Sequence, residues 1–224
     1  MKNVVNSLKS LIAMVLIIAF SFSAVAKPQE VELTRVNTYV FSSEINPVTT
    51  DEFMAALVGK RVLLDSINPQ APLYIVIVSG GGSYENSLVM KRIIEKVPNV
   101  QLICKYCASA AGFIFGTTPV PRLAIKKSIL LMHEMYLAHY TAKNAANAAI
   151  ARNLIQSSEE FNKAMYTKLQ MSKEDYEKKI VDKEWNLYGE EIVKNHLADK
   201  LVTVKCDYYI KQLAPDTCSQ EEAK

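Results

Sequence analysis

Apolar and polar positions along this chain switch repeatedly between strand-like and helix-like spacing. Residues 36–41, Val-Asn-Thr-Tyr-Val-Phe, are rich in β-branched and aromatic side chains and predict a first strand. Asn46-Pro-Val-Thr-Thr-Asp51 supplies a turn and a helix cap. After it, Phe53, Ala56, Leu57, Val62, Leu63 and Ile67 recur at roughly helical spacing across residues 51–68. Residues 73–78 are a continuous apolar run between Pro72 and three glycines, as expected of a strand covered on both faces. Residues 84–97 set Leu88, Val89, Ile93, Ile94 and Val97 against Lys91, Arg92, Glu95 and Lys96, which predicts an amphipathic crossover helix.

The alternation continues downstream. Residues 100–104 read as a strand that delivers the chain to Ser109, and residues 110–115 as the apolar start of a helix behind it. Two short strands are expected at 123–125 and 128–132, around Lys126-Lys127, the second leading into His133. From Thr141 to about Leu169 there is neither proline nor glycine, which predicts one long helix. Shorter helices are expected from Ser172 to about Val181 and from Tyr188 to Asn195, then a last strand at 200–204. No internal repeat or low-complexity linker interrupts the pattern. Strand alternating with helix predicts an α/β domain over 36–205, with a parallel sheet, right-handed crossovers and a site outside the carboxyl ends of the strands. Residues 27–35 read as an N-terminal extension and 206–224 as a C-terminal tail.

The first 26 residues follow a different rule. Lys2 and Lys9 precede an uncharged apolar run from Leu11 to Phe22, and Ala24-Val-Ala26 closes it. That layout is the one of a secretory signal peptide, so the protein is expected to be exported, to the periplasm or beyond. The alternative is an uncleaved membrane anchor over residues 11–26. Without the two leader lysines, 24 of the 26 basic residues remain against 23 acidic ones. A near-neutral chain has no electrostatic footprint for nucleic acid.

Export would bring Cys104, Cys107, Cys206 and Cys218 into an oxidising compartment, where four cysteines allow three pairings. Cys206 with Cys218 is the preferred pair, because it would anchor the tail. Cys104-Lys-Tyr-Cys107 ends a strand, where residues three apart point to opposite faces and bridge poorly. A redox motif is therefore not expected there. No second Cys/His pair stands at zinc-ligand spacing, and neither a metal nor any other cofactor is expected.

The candidate chemistry lies in three short stretches: Ser79-Gly-Gly-Gly82, Cys107-Ala-Ser-Ala-Ala-Gly112 and Leu131-Met-His133. A serine among small residues after an apolar strand, with glycine amides upstream and a histidine downstream, has the parts of an acyl-transfer site. Glycine suits the turn because a substrate backbone must pass close by. His139 and His196 read as ordinary histidines.

These stretches, in this order, resemble the Clp protease proteolytic subunit, a serine peptidase family within the crotonase-like superfamily. The resemblance runs from about Asn37 to Val204. Ser79-Gly-Gly-Gly82 resembles the family's Ser-Pro-Gly-Gly turn, Ala108-Ser-Ala-Ala111 its Ala-Ser-Met-Gly segment, and Leu131-Met-His133 its Met-Ile-His segment. The resemblance implies the repeated β-α units of that fold with a long handle-type helix from Thr141. It implies Ser109 as nucleophile, His133 as base, and the amides of Gly82 and Ala110 as oxyanion donors, with Gly81 the substitute if the turn is shifted by one. For the third triad member two carboxylates stay open: Glu184, counting back from Leu197-Ala-Asp199, or Asp182, keeping the family's spacing from histidine to acid. The sequence departs from the family in the alanine pair after the serine and in His196, which stands where a glycine usually follows the helix.

The resemblance further implies a homo-oligomer acting on peptides or unfolded protein. Family members in the cytosol are fed by an ATP-driven ring, and an exported chain is expected to act without one. Two rival readings share the fold: a catalytically silent scaffold or binding protein, and a crotonase-type acyl-CoA enzyme.

Overall fold

The computed structural model describes residues 28–134 and 145–218 of the 224-residue chain. The leader expected over 1–26, the start of the long helix at Thr141, His139 and the last residues of the tail lie outside the described residues.

Among the described residues seven strands form one sheet. Six of them, β1 (Gln29–Leu33), β2 (Thr38–Phe41), β3 (Leu73–Ser79), β4 (Val100–Ala108), β5 (Arg122–His133) and β7 (Lys200–Cys206), run parallel in the order β1-β7-β5-β4-β3-β2. The seventh, β6 (Glu184–Tyr188), pairs antiparallel with the second half of β5. This is the α/β architecture with a parallel sheet that the strand and helix alternation predicts.

The helices are α1 (Pro47–Ile67), α2 (Tyr84–Lys96), α3 (Ala110–Thr117), α4 (Ala145–Lys168), α5 (Lys173–Ile180), α6 (Glu190–Lys194) and α7 (Tyr208–Leu213). The first six bury their apolar stripes in one cluster on one face of the sheet, with Phe53, Leu57, Met90, Ile94, Phe113, Phe161, Met165, Tyr176 and Ile192 among its members. Full burial of such a side chain is worth about 1.5–3 kcal/mol, so this layer supplies most of the domain's stability. The other face carries Val31, Leu33, Tyr74, Val76, Ile103, Val202 and Val204, closed by Ile210 of α7 and by Cys218. Among the described residues no helix is long and apolar enough to cross a membrane.

Several local outcomes differ from the sequence reading. The segment read as an N-terminal extension contributes β1, whose alternating pattern buries Val31 and Leu33 against β7. Helix α1 begins at Pro47, where Asn46 and Thr49 cap each other reciprocally. Its buried stripe runs through Phe53, Leu57, Arg61 and Leu64. Val62, Leu63 and Ile67 are thereby left exposed. Arg61 takes a core-facing position because its guanidinium donates to the Ala71 carbonyl and pairs with Asp65.

The two short strands expected around Lys126-Lys127 are one strand, β5. Ala124 and Ile129 stand opposite Cys104 and Tyr106 of β4, so four residues of β5 face one residue of β4. Ser128 closes this loop-out: its buried hydroxyl accepts from the Ile125 amide and donates to the Cys104 carbonyl. The third expected helix starts two residues late, at Glu190, because Tyr188 ends β6.

The cysteine reading is corrected at one pair and met at the other. Cys206 and Cys218 are bonded, with Cα atoms 5.6 Å apart, and fasten the tail to the sheet. Cys104 and Cys107 are also bonded, their Cα atoms 5.9 Å apart, against the expectation that they face opposite ways. The physical reason is a β-bulge at Lys105. On both neighbours the pairing steps from Cys104 to Tyr106, so one strand position is skipped and Cys107 turns to the face that Cys104 occupies.

Candidate active site

The site is assembled at the carboxyl ends of β3, β4 and β5, as the parallel topology requires. At the end of β3 the buried Ser79 hydroxyl donates to the Ser43 carbonyl at 2.6 Å and accepts the Gly81 amide at 3.2 Å. Gly81 and Gly82 have left-handed backbone, with φ 98° and φ 137°, which only glycine adopts without strain. Both also sit where a side chain has no room. A β-carbon on Gly82 would come within 2.3 Å of the Ile45 carbonyl oxygen.

That closeness comes from a short parallel bridge between Ile45 and Gly82. Its two bonds run from the Ile45 amide to the Gly81 carbonyl at 2.7 Å and from the Ser83 amide to the Ile45 carbonyl at 2.8 Å. The Gly82 amide takes part in neither. Ser83 then caps α2, accepting from the Asn86 amide.

Ser109 stands between β4 and α3 with φ 54° and ψ −123°, an unusual backbone for a residue with a side chain. The turn is held on both sides. The Ser109 amide donates to the Leu131 carbonyl at 2.9 Å, and its carbonyl accepts the Phe113 amide at 3.0 Å as the first bond of α3. Ala110 opens α3, so its amide has no acceptor within the helix and points out of the helix N-terminus.

His133 ends β5. Register aligns Ala108 with Leu131, which brings His133 to the same end of the sheet as Ser109. The imidazole Nδ1 lies 2.5 Å from the Glu134 carbonyl oxygen. A carbonyl only accepts, so Nδ1 carries the proton, and in the neutral ring Nε2 is the basic nitrogen. Across the antiparallel ladder His133 is paired with Glu184. Residues opposed in this way present their side chains on the same face.

One cavity of about 640 Å³ gathers Ser109, Ala110, His133 and Gly80, Gly81 and Gly82. Tyr84 and Phe161 form an aromatic wall with Phe113, with ring centroids 5.1–5.6 Å apart. Burial, with the carboxylates of Glu160 and Glu85, pushes the Tyr84 phenol up, so the wall is neutral. Glu44 and Glu85 also line the cavity.

The structure thus brings together five of the residues picked out by sequence: Ser109, His133, Gly81, Gly82 and Ala110. Glu184 stands directly opposite His133 in the ladder, exposed at the sheet end and outside the cavity lining. Asp182 has φ 54° in the exposed turn before β6 and pairs with no strand among the described residues. The sequence reading missed the Glu134 carbonyl, which no side-chain pattern could reveal, and the wall of Tyr84 and Phe161. His196 has φ 62°, the left-handed backbone for which glycine is the usual occupant.

Comparisons with known proteins identify the family. The family described as Clp protease matches residues 31–205. The chain is 29% identical over 159 residues to ATP-dependent Clp protease proteolytic subunit 2 of Prochlorococcus marinus (strain NATL2A), covering 68% of this chain and 78% of that one. It is 28% identical over 167 residues to ATP-dependent Clp protease proteolytic subunit 3 of Synechococcus sp. (strain CC9605), covering 72% and 80%. A match that starts within β1 and ends within β7, spanning the glycine turn, the serine turn and the histidine strand, assigns the chain to the Clp protease family.

Proposed function

We propose that the chain is a serine peptidase that hydrolyses peptide bonds in peptides or unfolded protein. The observation that carries this reading is the strained turn at Ser109, held against Gly81 in a cavity that His133, Gly82 and Ala110 also line. Ser109 Oγ attacks the scissile carbonyl carbon while His133 Nε2 takes its proton. The same nitrogen then returns the proton to the leaving amine as the C–N bond breaks. Water, deprotonated by His133, releases the acyl group from Ser109.

The developing oxyanion is held by the amides of Gly82 and Ala110. Gly82 is favoured over Gly81 because the Gly81 amide already donates to Ser79. Removing one such donor costs about a hundredfold or more in turnover. Glu184 is favoured over Asp182 as the carboxylate beside the imidazole, since only Glu184 shares a ladder position with His133.

The relatives are named as ATP-dependent subunits. For this chain we favour an exported, unassisted homo-oligomer. The apolar leader at its N-terminus supports this, as do two disulfides, which persist in oxidising compartments. A second reading, a silent scaffold, draws on one observation: Glu184 lies exposed and outside the cavity lining. A fluorophosphonate probe separates the two. Labelling at Ser109 that is lost in Ser109→Ala and weakened in His133→Ala supports the peptidase. A folded, assembled sample that does not label supports the scaffold.

A further inference from the structure

The bonded pair Cys104 and Cys107 lies in β4, the strand that delivers Ser109, and both cysteines are fully buried in the helix-covered cluster. Its position matters because of the bulge it spans. In a regular strand three residues advance about 10 Å, and the first and fourth side chains point to opposite faces. A disulfide needs Cα atoms within about 7 Å. The 5.9 Å separation here is therefore compatible with the bulge at Lys105 and incompatible with a regular strand.

The bulge also decides parity. Leu102 and Cys104 face the helix layer, Ile103 the other side. Without the skipped position Cys107 would fall on the far face, and the strand would reach residue 109 with the opposite parity. With it, Cys107 rejoins the helix-side cluster and the chain enters the Ser109 turn on the side where Gly81 packs.

We infer that the Cys104–Cys107 disulfide is a positioning element for Ser109. By keeping Lys105 out of the ladder, it fixes the face on which the nucleophile emerges and makes the site sensitive to reducing dithiols. This rests on the reading of Ser109 as nucleophile. Reduction by a dithiol transfers two electrons and two protons to the cystine, giving two thiols and the cyclic disulfide of the reductant. The reduced strand is then free to slip by one residue and restore the ladder that the bulge interrupts. Opposing the slip is the Ser128 hydroxyl, which ties the loop-out of β5 to the Cys104 carbonyl, so the disulfide and this tie hold the same register together.

The test compares the oxidised protein with Cys104→Ser/Cys107→Ser, with Cys104→Ala/Cys107→Ala in case the first variant folds poorly, and with Cys206→Ser/Cys218→Ser as control. Wild-type protein treated with dithiothreitol, its reduced cysteines counted by alkylation and mass spectrometry, runs in parallel. Two readouts are taken: the rate of fluorophosphonate labelling, and amide hydrogen exchange in peptides covering residues 105–113. Opening the 104–107 bond is expected to speed exchange in that segment at least tenfold and to slow labelling at least tenfold, while the control labels at the wild-type rate. Unchanged exchange across 105–113 in the folded 104/107 variants would overturn the inference, because Ser128 alone then holds the register. If no form labels at all, the peptidase reading fails, and the exchange data still decide whether the disulfide sets the turn.

Discussion

A methyl group placed on Gly81 would lie 2.8 Å from the β-carbon of Ser109 and 2.6 Å from the Ala108 carbonyl oxygen. The glycine turn and the serine turn are therefore in direct contact, and the fit depends on the absence of a side chain. Gly81→Ala adds this clash to a backbone at φ 98°. It is expected to cost about 1–3 kcal/mol in stability. Labelling of Ser109 should fall about a hundredfold, as misplacement of a reacting group by an ångström does. Gly80→Ala is the control, since a β-carbon there meets nothing within 4 Å. Its unfolding midpoint and labelling rate should match wild type; equal damage at both positions would remove the packing argument.

The ladder pair of His133 and Glu184 predicts an asymmetry between the two candidate acids. Glu184→Gln should slow labelling at least tenfold without lowering the unfolding midpoint, because an amide beside the imidazole no longer stabilises the imidazolium. Asp182→Asn, in the exposed turn outside the ladder, should stay within twofold. Should neither variant change the rate, neither of these carboxylates is the third member of the triad.

What the sequence disclosed and what it hid have physical causes. β3, the glycine turn, Ser109 and His133 were legible because an uninterrupted apolar run must be a covered strand, and glycines after it must be a turn. The bulge at Lys105 was not, since it contains neither glycine nor proline and is fixed by partners on β3 and β5 far away in sequence. That one hidden residue reversed the expectation for Cys104 and Cys107. β6 was concealed because Glu184-Trp-Asn-Leu-Tyr188 runs directly into the helix-forming Glu190-Glu-Ile-Val-Lys194, and only pairing with β5 separates them. Glu184 could thus be proposed by counting, but its place opposite His133 belongs to the ladder.

Arg122 is almost wholly buried, and its guanidinium donates to Asp199 and to the Gly116 carbonyl at the end of α3. Asp199 also accepts the Arg122 amide at 2.8 Å. Asp199→Ala leaves a buried cation without its carboxylate. Because Asp199 itself is partly exposed, water compensates in part, and the expected loss is about 2–3 kcal/mol. Urea unfolding measures it; a loss below 0.5 kcal/mol would mean that the Gly116 and His196 carbonyls alone satisfy Arg122.

The Cys206–Cys218 bond closes a short loop around α7, and α7 covers the second face of the sheet. Cys206→Ser/Cys218→Ser is expected to lower stability by about 3 kcal/mol, the chain-entropy value for a loop of this size. The tail should then be clipped by a nonspecific protease faster than the rest of the domain. A uniform cleavage pattern would argue that Ile210 packing, not the cross-link, holds the tail.

Tyr176 offers a stabilising change. Its side chain is completely buried on α5, and its hydroxyl has no hydrogen-bond partner among the described residues. Burial pushes the phenol well above its ordinary value near 10. Tyr176→Phe removes an unsatisfied polar atom and keeps the ring, so a gain of about 1 kcal/mol is expected at neutral pH. The gain should widen in alkali. Above about pH 10 the unfolded phenol releases its proton while the folded one retains it, so the unfolded state binds fewer protons and the wild type loses stability as pH rises. Phenylalanine has no proton to lose. Urea midpoints of both proteins at pH 7 and pH 10.5 give the comparison, and a difference that stays constant between the two would show that the Tyr176 hydroxyl reaches water.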